Sequence, residues 1–93
     1  MVVHNDNWSD VVVYLGSTNR GVPTRLGRVG SSSTDTLRIR VLPISDLFLE
    51  LTYTTRGPII WVSESLFWVQ PGDCVELGVQ VVVNMSTVHA CFS

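Results

Sequence analysis

Nucleophilic or metal-centred chemistry in this chain of 93 residues would have to come from His4, Cys74, His89 and Cys91. His89 and Cys91 stand two positions apart, so on an extended chain they share one face. With His4 and Cys74 they compose a Cys/His ligand set, or a Cys–His nucleophile pair. No local ligand spacing accompanies them and no acid converges on them, so ordinary core and tail roles are expected. Asp6, Asn7 and Asp10 offer oxygens to Ca²⁺, but a site needs about six to eight and the D-x-D-x-D-G loop is absent. Residues 4–7 therefore read as a turn, because Asn and Asp side chains bond their own backbone there. The acidic residues number eight and are scattered over turns and outward positions, not paired for acid–base work. There is no Gly-rich phosphate loop and no G-x-S-x-G. No catalytic, metal or cofactor-binding residue is expected, and no enzyme.

The six basic residues are all arginine. Arg20, Arg25, Arg28, Arg38 and Arg40 fall in one half of the chain, with Tyr14 and Tyr53 as potential stacking partners. Such a stripe would suit single-stranded nucleic acid. The net charge of −2 provides no long-range attraction to a polyanion, and a solvated face is the expected reading. The aromatic residues carry more. In Ile59 to Val62 and in residues 66–69, consecutive side chains point to opposite faces of a strand. Trp61 and Trp68 therefore cannot both turn inward together with all their apolar neighbours. Trp8, Trp61, Phe67 and Trp68, with Arg56, are the residue types that dominate protein–protein contacts, and they are the expected partner-binding residues. The competing reading has the tryptophans capping the open ends of the fold.

These side chains need elements to hold them. After the Pro71-Gly72 turn signal, Val75, Leu77, Val79, Val81 and Val83 recur at every second position, the period of a strand with one buried face. Val2 and Val3 open a short strand. Val11, Val12, Val13, Tyr14 and Leu15 read as a buried one. A polar loop over residues 16–21 leads to a strand over residues 23–29, with Leu26 inward. Residues 30–34 have loop composition. Leu37, Ile39 and Val41 then alternate with Thr36, Arg38 and Arg40, and after a turn at residues 43–46 Leu47, Leu49, Leu51 and Tyr53 form the next inward set. A hairpin between these two strands would set Arg38 opposite or diagonal to Glu50. Arg56-Gly57-Pro58 breaks the chain before Ile59, and Ser63-Glu64-Ser65 interrupts the strand pieces at residues 59–62 and 66–69. Val88 and Phe92 anchor a weaker tail. No stretch keeps a helical period. The pattern predicts one all-β domain over residues 1–93, an antiparallel two-sheet sandwich of the immunoglobulin-like, Greek-key kind with about seven strands. An open barrel is the alternative.

The two cysteines permit one disulfide. A single strand over residues 74–83 would run about 30 Å, while the return to Cys91 reaches about 25 Å. Closing to the ~6 Å Cα separation of a disulfide is borderline, which favours two free thiols. The chain is 45% hydrophobic, a surplus for its size that favours a contact with another molecule. Its apolar runs fall far short of the roughly 20 residues of a membrane helix, and no leader pattern opens it.

The N-D-N-W-x-D-x-x-V-Y segment at residues 5–14, R-L-G-x-V at residues 25–29 and P-G-D-x-V-x-L at residues 71–77 resemble a group of small bacterial proteins of uncharacterised function. The resemblance implies a secreted or lipid-anchored β-sandwich, hence an extracytoplasmic location, and carries no catalytic residues across. The expectation is a protein-interaction or assembly module with a protein partner or a second copy. It would be an accessory subunit, for example extrinsic to a membrane complex such as a bacterial photosynthetic reaction centre–antenna assembly. A carbohydrate or small-ligand binding domain using Trp61 or Trp68 is the alternative.

Overall fold

A computed structural model describes residues 1–17, 22–39, 47–70 and 72–91. The described residues form β1 (Val2–Asn5), β2 (Val11–Ser17), β3 (Thr24–Val29), β4 (Ser33–Thr36), β5 (Leu47–Thr52), β6 (Ile59–Val62), β7 (Val75–Val79) and β8 (Thr87–Ala90), with a 3₁₀ turn at Val83–Met85. The strands make two four-stranded sheets, ordered β4-β1-β7-β8 and β3-β2-β5-β6. They face each other as an all-β sandwich, as the alternating pattern predicts. One cluster of buried aliphatic side chains fills the space between: Val3, Val11, Val13, Val29, Leu49, Leu51, Leu77 and Val79 are its sealed centre. Each such side chain stabilises the fold by about 1.5–3 kcal/mol.

Several expectations need correction. Among the described residues the strands number eight, in line with the seven or so expected, but β1 pairs with β7 in parallel, Val3 opposite Leu77, while the other pairings are antiparallel. Residues 30–34 are not all loop, because Ser33 and Thr34 belong to β4. That strand is short, exposed along its length and ends at Thr36. Leu37 then turns into the core. Since β4 and β5 lie in different sheets, Arg38 does not form a hairpin pair with Glu50, whose register partners are Tyr14 and Val62. Leu26 packs against the core, as expected, but is only half-buried, and Val29 is the sealed residue of β3. Tyr53 is exposed, since β5 ends one residue before it. Residues 66–69 are not a strand. The chain past β6 stays against β5 through Ser63 N–H to the Leu49 carbonyl (2.8 Å) and Leu66 N–H to the Leu47 carbonyl (2.7 Å), then turns at Phe67 and Trp68. The loop end at residues 18–21, Arg20, Arg40, Val41, the turn at residues 43–46, Pro71 and Phe92 lie outside the described residues.

The long strand expected through Val83 stops at Val79. Its end is taken up by other groups: Asp6 N–H donates to the Val79 carbonyl (2.8 Å), and Ser86 Oγ accepts from Gln80 N–H (3.2 Å). The chain bends, makes the 3₁₀ turn and returns as β8, so Val81 and Val82 are exposed instead of alternating. This earlier turn also decides the thiols. In the β7–β8 register Val75 stands opposite Ala90, which brings Cys74 against Cys91 at a Cα separation of 5.2 Å, and the two form a disulfide. The expectation of free thiols assumed too long a strand. Closing 17 residues of sequence separation restricts the unfolded chain and stabilises the fold by about 3 kcal/mol. A Cys74→Ser/Cys91→Ser double variant is expected to lose that amount in urea unfolding while keeping its β-type circular dichroism. An unchanged midpoint would refute the assignment.

Candidate functional site

The loop joining β1 to β2 is built on two buried asparagines. Asn7 N–H donates to Asn5 Oδ1 and Ser9 N–H donates to Asn7 Oδ1, each at 3.0 Å. These are successive Asx turns of the kind the Asn-Asp-Asn composition predicts. Their amide groups reach much further along the chain. Asn5 Nδ2 donates to the carbonyls of Ser9 (3.0 Å), Val29 (3.2 Å) and Gly30 (3.0 Å). Asn7 Nδ2 donates to the carbonyls of Gln80 (3.0 Å) and Val81 (3.3 Å). The β1–β2 loop is thereby tied to the exit of β3 and to the exit of β7. Asn5 is sealed and Asn7 nearly so, yet Trp8, the central residue of the second Asx turn, is 82% exposed. Val81, Val82 and Met85 are exposed on the adjoining β7–β8 connection, Met85 at 67%. Trp8 on its pinned loop and Val81, Val82 and Met85 on the connection that Asn7 binds thus leave exposed apolar side chains at this end of the sandwich.

The expected contact residues do not form one site. Trp61 is half-buried in β6 opposite Leu51, and Trp68 is half-buried against the same core. Phe67 is 81% exposed at the tip of the turn closed by Val69 N–H on the Leu66 carbonyl. That turn follows the contact with Leu47, whose register partner Ser17 ends β2, whereas Trp8 precedes the start of β2. Phe67 and Trp8 therefore occupy opposite ends. Arg56 sits elsewhere again, with φ 61°, a left-handed conformation that favours Gly or Asn. Its N–H donates to Tyr14 Oη (3.3 Å), and Gly57 N–H donates to the Thr54 carbonyl (2.9 Å). A Cβ on Gly57 would collide with Thr54 Oγ1. This turn folds the β5–β6 connection back across the outer face of its sheet, where the register partners Val12 and Thr52 are buried.

Asp10, His89 and His4 are engaged in local contacts. Asp10 accepts from Arg28 (2.6 Å) and from Ser31 N–H (2.9 Å). The Ser31 hydrogen bond first, then the Arg28 guanidinium, hold its carboxyl below the usual range. His89 Nε2 lies 3.1 Å from Glu76 Oε2, and His4 Nδ1 lies 3.1 Å from Thr34 Oγ1. Cys74 and Cys91 are joined. Among the described residues no group of three or more His, Cys, Asp or Glu comes together. Arg25 and Arg28 share the outer face of β3 with Tyr14 as a neighbour, but Arg38 follows β4 in the other sheet, so the arginines do not line up as one stripe.

Val81, Val82 and Met85 escape a sequence reading that extends β7. The signal for them is Val81-Val82-Val83 itself, since three successive valines cannot all face inward. Asn5 carries the geometry of the site and is the residue to test. Asn5→Ala would strand buried carbonyls and the Asn7 N–H, and is expected to cost about 3 kcal/mol in urea unfolding. Asn5→Asp sets a buried carboxyl against three carbonyl oxygens, which raises its pKa because burial and those oxygens disfavour the charge. That variant should approach wild-type stability in acid and lose stability as pH rises through the ordinary carboxyl value, levelling off above the raised one. Parallel pH profiles for the variant and the wild type would rule this out.

No protein-family model matches the chain, and no curated protein or solved structure matches it.

Proposed function

We propose that this sandwich is a non-enzymatic interaction module that docks a protein partner on the apolar end around Trp8. The observation that carries the reading is an indole 82% exposed on a loop whose flanking backbone is fixed by Asn5 and Asn7. On a fixed backbone a large ring with only two side-chain torsions loses little freedom when a partner covers it, so more of its burial appears as affinity. Tryptophan is also the residue type most enriched among contacts that dominate binding. Val81, Val82 and Met85 supply the apolar surround that excludes water from such a contact. Chemistry is disfavoured by the local pairing of Asp10, Glu76, His89 and the cysteines. The disulfide fits an oxidising compartment, in line with an extracytoplasmic accessory subunit. Among the described residues no helix is long and apolar enough to cross a membrane.

Trp8→Ala should weaken binding of a partner captured by the wild-type chain by about 30-fold or more, the equivalent of ~2 kcal/mol. Met85→Ser should weaken it less, and Phe67→Ala, at the opposite end, should leave it unchanged. Isothermal titration with the captured partner measures all three. Equal affinity for wild type and Trp8→Ala would sink the proposal, and a Trp fluorescence response to glycans that is lost in Trp8→Ala would replace it with carbohydrate binding.

A further inference from the structure

We infer that the Cys74–Cys91 disulfide is a reducible latch on β8: a dithiol reductant opens it, and β8 leaves β7 while the rest of the sandwich keeps its fold. The bridge lies on the outer face of its sheet. Val75, Leu77 and Val79 of β7 are buried, so Cys74 and Glu76 point the other way by alternation. Cys74 is exposed and Cys91 half-buried, and Gly72 and Asp73 before it are exposed as well. Exposed disulfides are the labile and regulatory ones, whereas structural ones resist reduction. What the bridge holds is an edge. β8 ends the sheet order β4-β1-β7-β8. Its residues are exposed or half-buried, with Val88 packed on the core. The contact of His89 with Glu76 joins side chains 42% and 28% exposed, where an ion pair contributes little. β7 does not depend on β8 in the same degree, because β1 pairs with its other side and its inward residues are buried.

The exchange runs in two steps. A thiolate of the reductant attacks Sγ of Cys74, the more exposed residue of the pair, forming a mixed disulfide. Cys91 is expelled as a thiolate and takes a proton. The reductant's second thiolate then attacks the mixed disulfide, closes the reductant's own S–S bond and releases Cys74, which takes a proton. Two electrons and two protons enter the chain, and the dithiol becomes a disulfide. Opening β8 now regains the chain entropy that closure over 17 residues of sequence separation withheld. The motion pivots before β8. Asn7 Nδ2 holds the carbonyls of Gln80 and Val81, and Ser86 Oγ accepts from Gln80 N–H, so the chain stays anchored as far as Ser86. The reduced chain presents the backbone edge of β7 that the oxidised chain covers, and such an edge accepts an added strand. The device does not rest on the Trp8 reading, since Asn5 and Asn7 fix that loop in either redox state.

Hydrogen exchange on the full chain, oxidised and after dithiothreitol without denaturant, tests it. Iodoacetamide trapping should show both thiols released while the β-type circular dichroism persists. In the reduced chain the amides of β8 should exchange within ~10-fold of the rate of an unstructured peptide, and those of β2 and β5 should stay at least ~100-fold slower than it. Reoxidation should restore protection to β8. Cys74→Ser/Cys91→Ser should show the reduced pattern with no reductant present, which separates loss of the bridge from other effects of dithiothreitol. Thiols released only in denaturant, β8 amides that stay protected after reduction, or protection lost from β2 and β5 together with β8 would each overturn the inference. If the double variant does not fold, the reduction and reoxidation series decides alone.

Discussion

The side-chain amide of Asn5 is the interaction on which the arrangement of this molecule turns. It lies with no exposed surface where three segments converge: the end of β1, the loop after it and the exit of β3. Backbone groups at such a junction lack ladder partners and would be expensive to bury unpaired. A single planar amide, two donors and an acceptor on a short stem, satisfies several of them together. Asn7 repeats the device toward β7. Together they tie the loop between the two sheets to both of them at one end by hydrogen bonds, whereas the space between the sheets is filled by apolar side chains. Among the described residues no buried side-chain polar atom lacks a partner, so these polar contacts specify the geometry without leaving a penalty.

The opposite end of the first sheet is closed covalently. β8 is short and sits at an edge, and among the described residues its strand neighbour is β7. A four-residue edge strand contributes little packing and few ladder bonds, so it would fray readily. The disulfide joins the residues flanking the β7–β8 pair, and Cys91 N–H also donates to the Cys74 carbonyl (3.0 Å). Amide bonds at one end and a covalent bond at the other restrain a domain whose core is modest for the surface it covers.

The alternating apolar positions of β5 and β7 and the β-branched run of β2 make the sandwich legible, because a period of two over Leu47–Thr52 has no competing helical reading. Sheet membership was not legible. Whether residues 36–41 pair with β5 or follow β1 into the other sheet depends on contacts between residues more than thirty positions apart, as in Val2 with Thr36. The end of β7 was missed for a related reason. Val81 and Val83 fit the alternation, and only the competition of Asp6 and Asn7 for the carbonyls at residues 79–81 turns the chain away. The disulfide was misjudged through that same strand end. Of the candidate site, the aromatic types were legible and their grouping was not. Neighbours in sequence such as Phe67 and Trp68 differ in exposure because one caps a turn and the other lies back on the core.

The Trp8 end offers side chains on a loop whose backbone is already hydrogen-bonded, so the contact proposed there would discriminate partners by shape and apolar surface. The β5–β6 connection is held differently. Arg56 takes a left-handed conformation that Gly or Asn would occupy with less strain. Such strain persists where surrounding structure over-determines it, here through the Gly57–Thr54 turn and the bond to Tyr14 Oη.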